Sequence, residues 1–331
     1  MMRNDVDYID ETTLERPHLL VVIDTEEEFD WHKPVSSDST GTEHLSALPS
    51  WQKYFVESGV KPCYVVDYPV SQDKKAMQLL SLYHNDGSAE IGAHCHPWVN
   101  PPIEEKICAM NSYPGNLPEL LEFAKIQTLT EEIERQIEAP LKSYKSGRYG
   151  SGPNTQDILL QLGYEIDLSV CPAFDARMDG GPDYRFEKTQ SFIYTSQENK
   201  KLTHFPLSSD FVGWGGVIKP HIDPLARKLE RLRIPGILAR SGFSDRLKLS
   251  PEGYTSNEHI KLANSLIKKG NRILSWTLHS SSFAPGYSPY VRTENDLNEF
   301  KAKFDLFFDY FFNTLGGVAV TPAQLKKELT L

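Results

Sequence analysis

Along the chain, short apolar runs alternate with stretches of helical spacing. Residues 18–24 (His-Leu-Leu-Val-Val-Ile-Asp) form a continuous apolar run that ends in a carboxylate, the pattern of a strand buried on both faces with a polar tip. Residues 51–59 read as a short helix closed by Gly59, and residues 61–67 as a second strand. Met77, Leu80 and Tyr83 give residues 70–84 a helical period, after which Asn85-Asp86-Gly87 turns the chain into a third strand at residues 90–96. A long helix is predicted over residues 117–139, with Leu120, Leu121, Ala124, Ile133 and Ile137 on or near one stripe. Residues 142–150 give a fourth strand, 164–170 a fifth, 203–207 a very short sixth and 272–279 the last. This rhythm predicts parallel strands joined by right-handed helical crossovers, a fold that carries its sites at the carboxyl ends of the strands.

Other segments break the rhythm. Residues 97–118 form a loop rich in Pro and Asn, suited to the rim of a pocket, and residues 171–195 read as irregular. Residues 210–254, with Gly213-Trp214-Gly215-Gly216 and a basic helical piece at 223–239, read as an insertion or lid, with a solvated connector as the alternative. Residues 256–269 are an amphipathic helix. The stripe of Leu297, Phe300, Phe304, Phe307, Phe308 and Phe311 predicts a helix closing the core rather than a cofactor or membrane element. No internal repeat, phosphate-binding Gly loop or Gly-x-Ser-x-Gly turn is present.

Composition narrows the class. With 331 residues, 39% of them hydrophobic, the chain can bury a large core as one domain, residues 1–331, with its centre at about 18–282, the insertion at 210–254 and closing helices at 291–331. A formal charge of -10 without clustered Lys and Arg argues against a nucleic-acid partner. Residues 1–17 lack the basic start and apolar core of a signal peptide and no run is long enough to cross a bilayer, so the expected location is cytoplasmic. Cys63, Cys95, Cys108 and Cys171 lie far apart, which fits reduced structural thiols better than disulfides or a Cys-based zinc site.

The candidate chemistry sits at the strand tips. In Glu90-Ile91-Gly92-Ala93-His94-Cys95-His96-Pro97, the period of two puts both imidazoles on one face, where they can reach a single metal ion, while Cys95 points away. After the first strand come Asp24, Glu26, Glu27, Glu28 and Asp30, which repel one another unless a cation sits among them; alternation places Asp24 and Glu26 on one face. Arg148 follows the fourth strand and can answer those acids; Asp167 lies on the fifth, and His279 ends the last. Two imidazoles and a carboxylate are the ligand set of a catalytic zinc-type site with an open position for water. A separate carboxylate and histidine supply base and acid.

These tips, in this order, resemble the polysaccharide deacetylase superfamily, the NodB homology or carbohydrate esterase family 4-like group, and within it the lipopolysaccharide- or surface-glycan-linked branch. The resemblance rests on Ile23-Asp24-Thr25-Glu26, residues 90–97, Ser146-Gly147-Arg148-Tyr149-Gly150 and Thr277-Leu278-His279-Ser280. It implies a distorted (β/α)7 barrel and a metal-dependent hydrolase that removes an acetyl group from a sugar or glycan precursor, with zinc the first choice of divalent ion and cobalt, nickel, iron or manganese as alternatives. By the resemblance, Asp24 is the base, His94 and His96 are metal ligands, His279 is the general acid, Arg148 orients the base and the Tyr149 backbone N–H helps hold the oxyanion.

The chain departs from the family pattern at three points. Thr25 stands where the family has its metal-binding aspartate, so the third ligand is Glu26 by first choice and Asp24 by second. The usual His-x-x-x-His is shortened to His-x-His. A gapped match of the third motif offers Lys145 as the alternative to Arg148 at the arginine position. Alternatives are a metal-free C–N hydrolase of the same fold, a glycosidase pairing Asp24 with Glu26 or Asp167, and a carbohydrate-binding protein without catalysis. Trp31, Trp98 and Trp214 are read as rim or core packing before sugar stacking. The sequence leaves the sugar, N- versus O-acetyl and the oligomeric state open.

Overall fold

The computed structural model describes residues 6–215, 221–222, 243 and 245–329. Its strands are β1 (Val6–Tyr8), β2 (His18–Thr25), β3 (Cys63–Val66), β4 (Glu90–Cys95), β5 (Ser143–Ser146), β6 (Ile166–Asp167), β7 (Phe192–Thr195), β8 (Lys201–His204), β9 (Ser209–Val212), β10 (Asp245–Lys248), β11 (Ile273–His279) and β12 (Val318–Ala319). The order β11-β2-β3-β4-β5-β6-β8 is parallel throughout, so each run predicted as a strand takes its place in one parallel sheet.

Two short strands extend the sheet in the opposite sense. β7 pairs antiparallel with β8, and β1 pairs with β7. β7 falls in the stretch read as irregular; it runs beside a four-residue strand, and its alternation is too short to stand out from a loop. Among the described residues no ladder joins β11 to β8. Ser208 and Leu249 bridge the seam instead: Ser208 N–H donates to Ser275 O at 3.3 Å, Leu249 N–H to Ser208 O at 2.7 Å and Thr277 N–H to Leu249 O at 3.1 Å. The result is a curved, mostly parallel sheet rather than a closed barrel. Of residues 210–254, β9 and β10 form a separate antiparallel pair, and the basic helical piece at 223–239 lies outside the described residues.

Side-chain parity explains which residues reach the inside. Along β2, Leu19, Val21 and Ile23 face an outer core, which the helices Leu48–Glu57, Lys74–Asn85, Glu119–Ile137 and Glu294–Asp309 cover. Leu20 and Val22 face a smaller inner core with Cys63, Val65, Ile166 and Ile273, where Leu325 of the C-terminal helix Pro322–Glu328 also packs. β4 and β11 follow the same rule: Ile91, Ala93 and Cys95, like Leu274, Trp276 and Leu278, pack outward. Continuing the inner parity past the apolar residues gives Asp24, His94, Lys145, Thr277 and His279.

The predicted aromatic stripe is core: Phe300, Phe304, Phe307 and Phe308 are buried against Trp276 and Trp51, and Phe311 packs on Phe307. All four cysteines are free thiols, three of them buried. No helix among the described residues is long and apolar enough to cross a membrane.

Candidate active site

The last register pairs of the central strands bring the polar tips together. His279 lies beside Asp24 in the β11–β2 ladder, and His94 beside Lys145 in the β4–β5 ladder. Asp24, Glu26, His94, His96 and Lys145 are all buried, and the His279 side chain keeps 16% exposure.

Three consecutive glutamates after β2 turn to different imidazole faces. Glu26 turns inward, and its Oε2 lies 3.4 Å from both His94 Nε2 and His96 Nε2. Glu27 backs His96: its Oε2 meets His96 Nδ1 at 2.7 Å, its Oε1 accepts Trp98 Nε1–H at 2.7 Å, and its N–H donates to Asp67 Oδ2 at 2.7 Å. Glu28 meets His44 at 2.9 Å. His94 Nδ1 meets the Lys145 carbonyl at 2.8 Å. With both Nδ1 atoms donating, the two Nε2 lone pairs converge on Glu26.

This arrangement fits a metal ion. Ligand atoms at about 2.0–2.2 Å from a tetrahedral centre stand roughly 3.3–3.6 Å apart, and both Glu26–His separations are 3.4 Å. Burial, reinforced by Asp24, Glu27 and Asp67, pushes the Glu26 carboxyl well above the usual range, and its Oε1 is buried with no hydrogen-bond partner. A carboxylate so placed calls for a cation. Burial holds His94 well below its ordinary value and His96 down to about 4, so both imidazoles are neutral at neutral pH, the form in which an imidazole can ligate a metal.

Asp24 has another partner. Lys145 Nζ donates to both of its carboxylate oxygens and lies 3.1 Å from Thr277 Oγ1. Burial alone would raise the Asp24 carboxyl; Lys145, helped by His94 and His279, outweighs it and holds the group well below the carboxylate range. His279 Nε2 lies 3.7 Å from Asp24 Oδ2, while its Nδ1 meets Glu252 Oε2 at 2.6 Å. Glu252 is fixed in turn by the Ser282 hydroxyl at 2.6 Å and the His279 N–H at 3.1 Å. Burial opposes ionisation of Glu252, yet His279, Ser282 and Lys248 together hold its pKa below the usual value.

Arg148 does not face the acids. Its guanidinium meets Asp179 Oδ2 at 2.9 Å and the Ser112 hydroxyl, and it stacks 4.3 Å over Tyr113. The cause is a backbone turn: Arg148 and Tyr149 both take left-handed conformations (φ 54° and 60°), which swings Arg148 outward and returns the Tyr149 ring to 4.9 Å from Lys145 Nζ. Just before it, Gly147 packs so closely that a Cβ would meet the Cys95 carbonyl and the His96 ring. Asp167 also lies apart, 3.1 Å from His204 Nδ1 and bonded to Ser169. The structure thus gathers Asp24, Glu26, His94, His96 and His279 and leaves out Arg148 and Asp167.

Sequence reasoning named Glu27 and Trp98 without seeing that they back His96, and it did not single out His44 and Glu252. Glu252 lies in the stretch read as insertion, and nothing local marks it. Trp98 is buried and stacks 4.2 Å from His96, while Trp214 is 72% exposed. Trp31 packs edge-on against His279 at 4.8 Å and borders a surface cleft of about 510 Å³ between residues 28–32 and 286–292.

No family model matches the chain, and no curated protein matches it in sequence. Among solved structures, a putative polysaccharide deacetylase from Mycobacterium smegmatis is similar at 12% identity and a TM-score of 0.55, over 100% of this chain and 94% of that one. A 4-alpha-glucanotransferase from Thermococcus litoralis is similar at 14% identity and a TM-score of 0.53, over 95% of this chain; the chain spans 40% of that protein's length. The likeness is one of fold, a mostly parallel α/β sheet. Since it is shared with a transferase, the fold by itself does not choose the chemistry.

Proposed function

We propose that this protein is a divalent-metal-dependent hydrolase that removes an acetyl group from a sugar or glycan precursor. The observation that carries the reading is the placement of Glu26 Oε2 at 3.4 Å from two neutral imidazoles, with its other oxygen unpartnered. Glu26, His94 and His96 would hold the ion, and zinc suits two nitrogens and one oxygen best. When bound, such an ion polarises an acetyl carbonyl and acidifies water.

The remaining residues divide the proton chemistry. Asp24, kept ionised and aimed by Lys145, takes a proton from the attacking water. His279, fixed through Nδ1 by Glu252, presents Nε2 to the same space and returns a proton to the departing sugar nitrogen or oxygen. The backbone N–H of Tyr149 is the donor offered to the oxyanion. The cleft beside Trp31 has the room and the aromatic wall that a sugar ring needs.

A carboxylate-pair glycosidase draws no support from the site, because Glu26 faces two imidazoles and Asp167 lies apart beside His204. The test is substitution of His94 or His96 by Ala. Each variant is expected to lose bound metal and acetate release together; loss of metal with full activity would point to the metal-free route.

A further inference from the structure

Three residues outside this chemistry form a continuous chain that ends on the backbone of Glu26. His44 is fully buried ahead of the helix Leu48–Glu57. Its Nδ1 and its own backbone N–H meet Glu28 Oε1 at 2.9 and 2.8 Å. Its Nε2 meets Ser280 Oγ at 2.8 Å, and Ser280 Oγ accepts the Glu26 N–H at 3.3 Å. Burial holds His44 down to about 4, so the ring is neutral at neutral pH. With Glu28 accepting from Nδ1–H, Nε2 is an acceptor; the Ser280 hydroxyl donates to it and leaves a lone pair for the Glu26 N–H. Each donor in the chain has one acceptor, and the direction is fixed.

Serine, histidine and glutamate at these distances match the spacing of a nucleophilic triad. Ser280 is fully buried, and its oxygen is already engaged by the Glu26 N–H, so no acyl group reaches it. Its place in the fold suggests another role. The β11–β2 ladder ends at the pair His279 and Asp24, and β2 itself ends at Thr25. Glu26 is therefore the first residue with no strand bond to hold it, and it is buried. Ser280, the residue after His279, supplies from its side chain the acceptor that a further ladder carbonyl would have given.

We propose that His44 and Ser280 are positioning residues whose hydrogen-bond chain from Glu28 fixes Glu26 in front of His94 and His96, and so sets the metal affinity of the site. The inference rests on the metal-centre reading above. Partners of this kind behind metal ligands are worth about 10–100-fold in affinity.

The test is zinc affinity of the full chain, measured by competition with a chromophoric chelator, alongside thermal melting of the metal-free protein. S280A is expected to bind zinc about 10–100-fold more weakly while the metal-free melting temperature stays near wild type. H44G is expected to lose affinity likewise, and millimolar imidazole to restore it by refilling the ring's place. Wild-type zinc affinity in folded S280A overturns the inference and leaves the metal site standing; so does a loss in H44G that imidazole does not restore. Failure of the wild-type chain to bind zinc would overturn the metal-centre reading and this inference with it.

Discussion

Lys145 grips both carboxylate oxygens of Asp24, and both side chains are buried. The sole reach of this ammonium beyond Asp24 is to Thr277 Oγ1 and the Tyr149 ring among the described residues. Breaking a buried pair by removing one partner costs about 3–5 kcal/mol, because a charge is left uncompensated. In K145M the Asp24 carboxyl loses the cation that holds it low, so its pKa rises. The acid limb of the kcat/KM profile is expected to move to higher pH, with kcat down by about 10²–10⁴-fold. Profiles recorded on K145M and K145R check this; an unmoved acid limb would remove Asp24 from the role of base.

Arg148 provides the contrast. Its partners, Asp179 and Ser112, lie on the outer side of the turn, and the Asp179 carboxylate is more than half exposed. R148A is expected to keep acetate release within a few-fold of wild type, since exposed pairs contribute about 0–1 kcal/mol. A loss as deep as that of K145M would mean that the guanidinium swings inward during turnover.

Glu252 reaches His279 but neither His94 nor His96. E252Q should therefore lower kcat by about 10–100-fold and leave zinc affinity unchanged. Parallel measurement of rate and metal binding separates the two effects, and a joint loss would place Glu252 with the ligands.

How much of this was legible along the chain depends on the kind of signal. The inner parity of Leu20, Val22 and Asp24, and of His94 and His96, follows from strand alternation alone, which is why five of the gathered residues could be named in advance. The choice between Lys145 and Arg148 was not legible, because it turns on two successive left-handed residues that carry no glycine to announce them. Glu252, His44 and Ser280 join the site through contacts with residues 27, 16 and 236 positions away, set by packing rather than local pattern. β7 was missed since four residues beside an equally short strand give alternation too little length.

Glu122 offers a stability test away from the site. Its Oε1 accepts the Thr155 hydroxyl while Oε2 is buried without a partner, and burial pushes its carboxyl up to about 7. The folded state therefore holds a proton that the unfolded chain releases near its ordinary value. Stability from this group is full below about pH 4.5 and is lost as pH rises through about 7. E122Q should match wild type at pH 5 and exceed it at pH 8 by about 2–3 kcal/mol in urea unfolding; a variant no more stable at pH 8 than at pH 5, relative to wild type, would contradict the assignment.

The most direct test of the metal-dependent deacetylase reading is acetate release from a panel of acetylated sugars as zinc is titrated into chelator-stripped protein. Activity is predicted to be absent without the ion, to climb in proportion to added zinc and to level off at one ion per chain. Full acetate release from the stripped protein, or none at any zinc ratio across the panel, would contradict it.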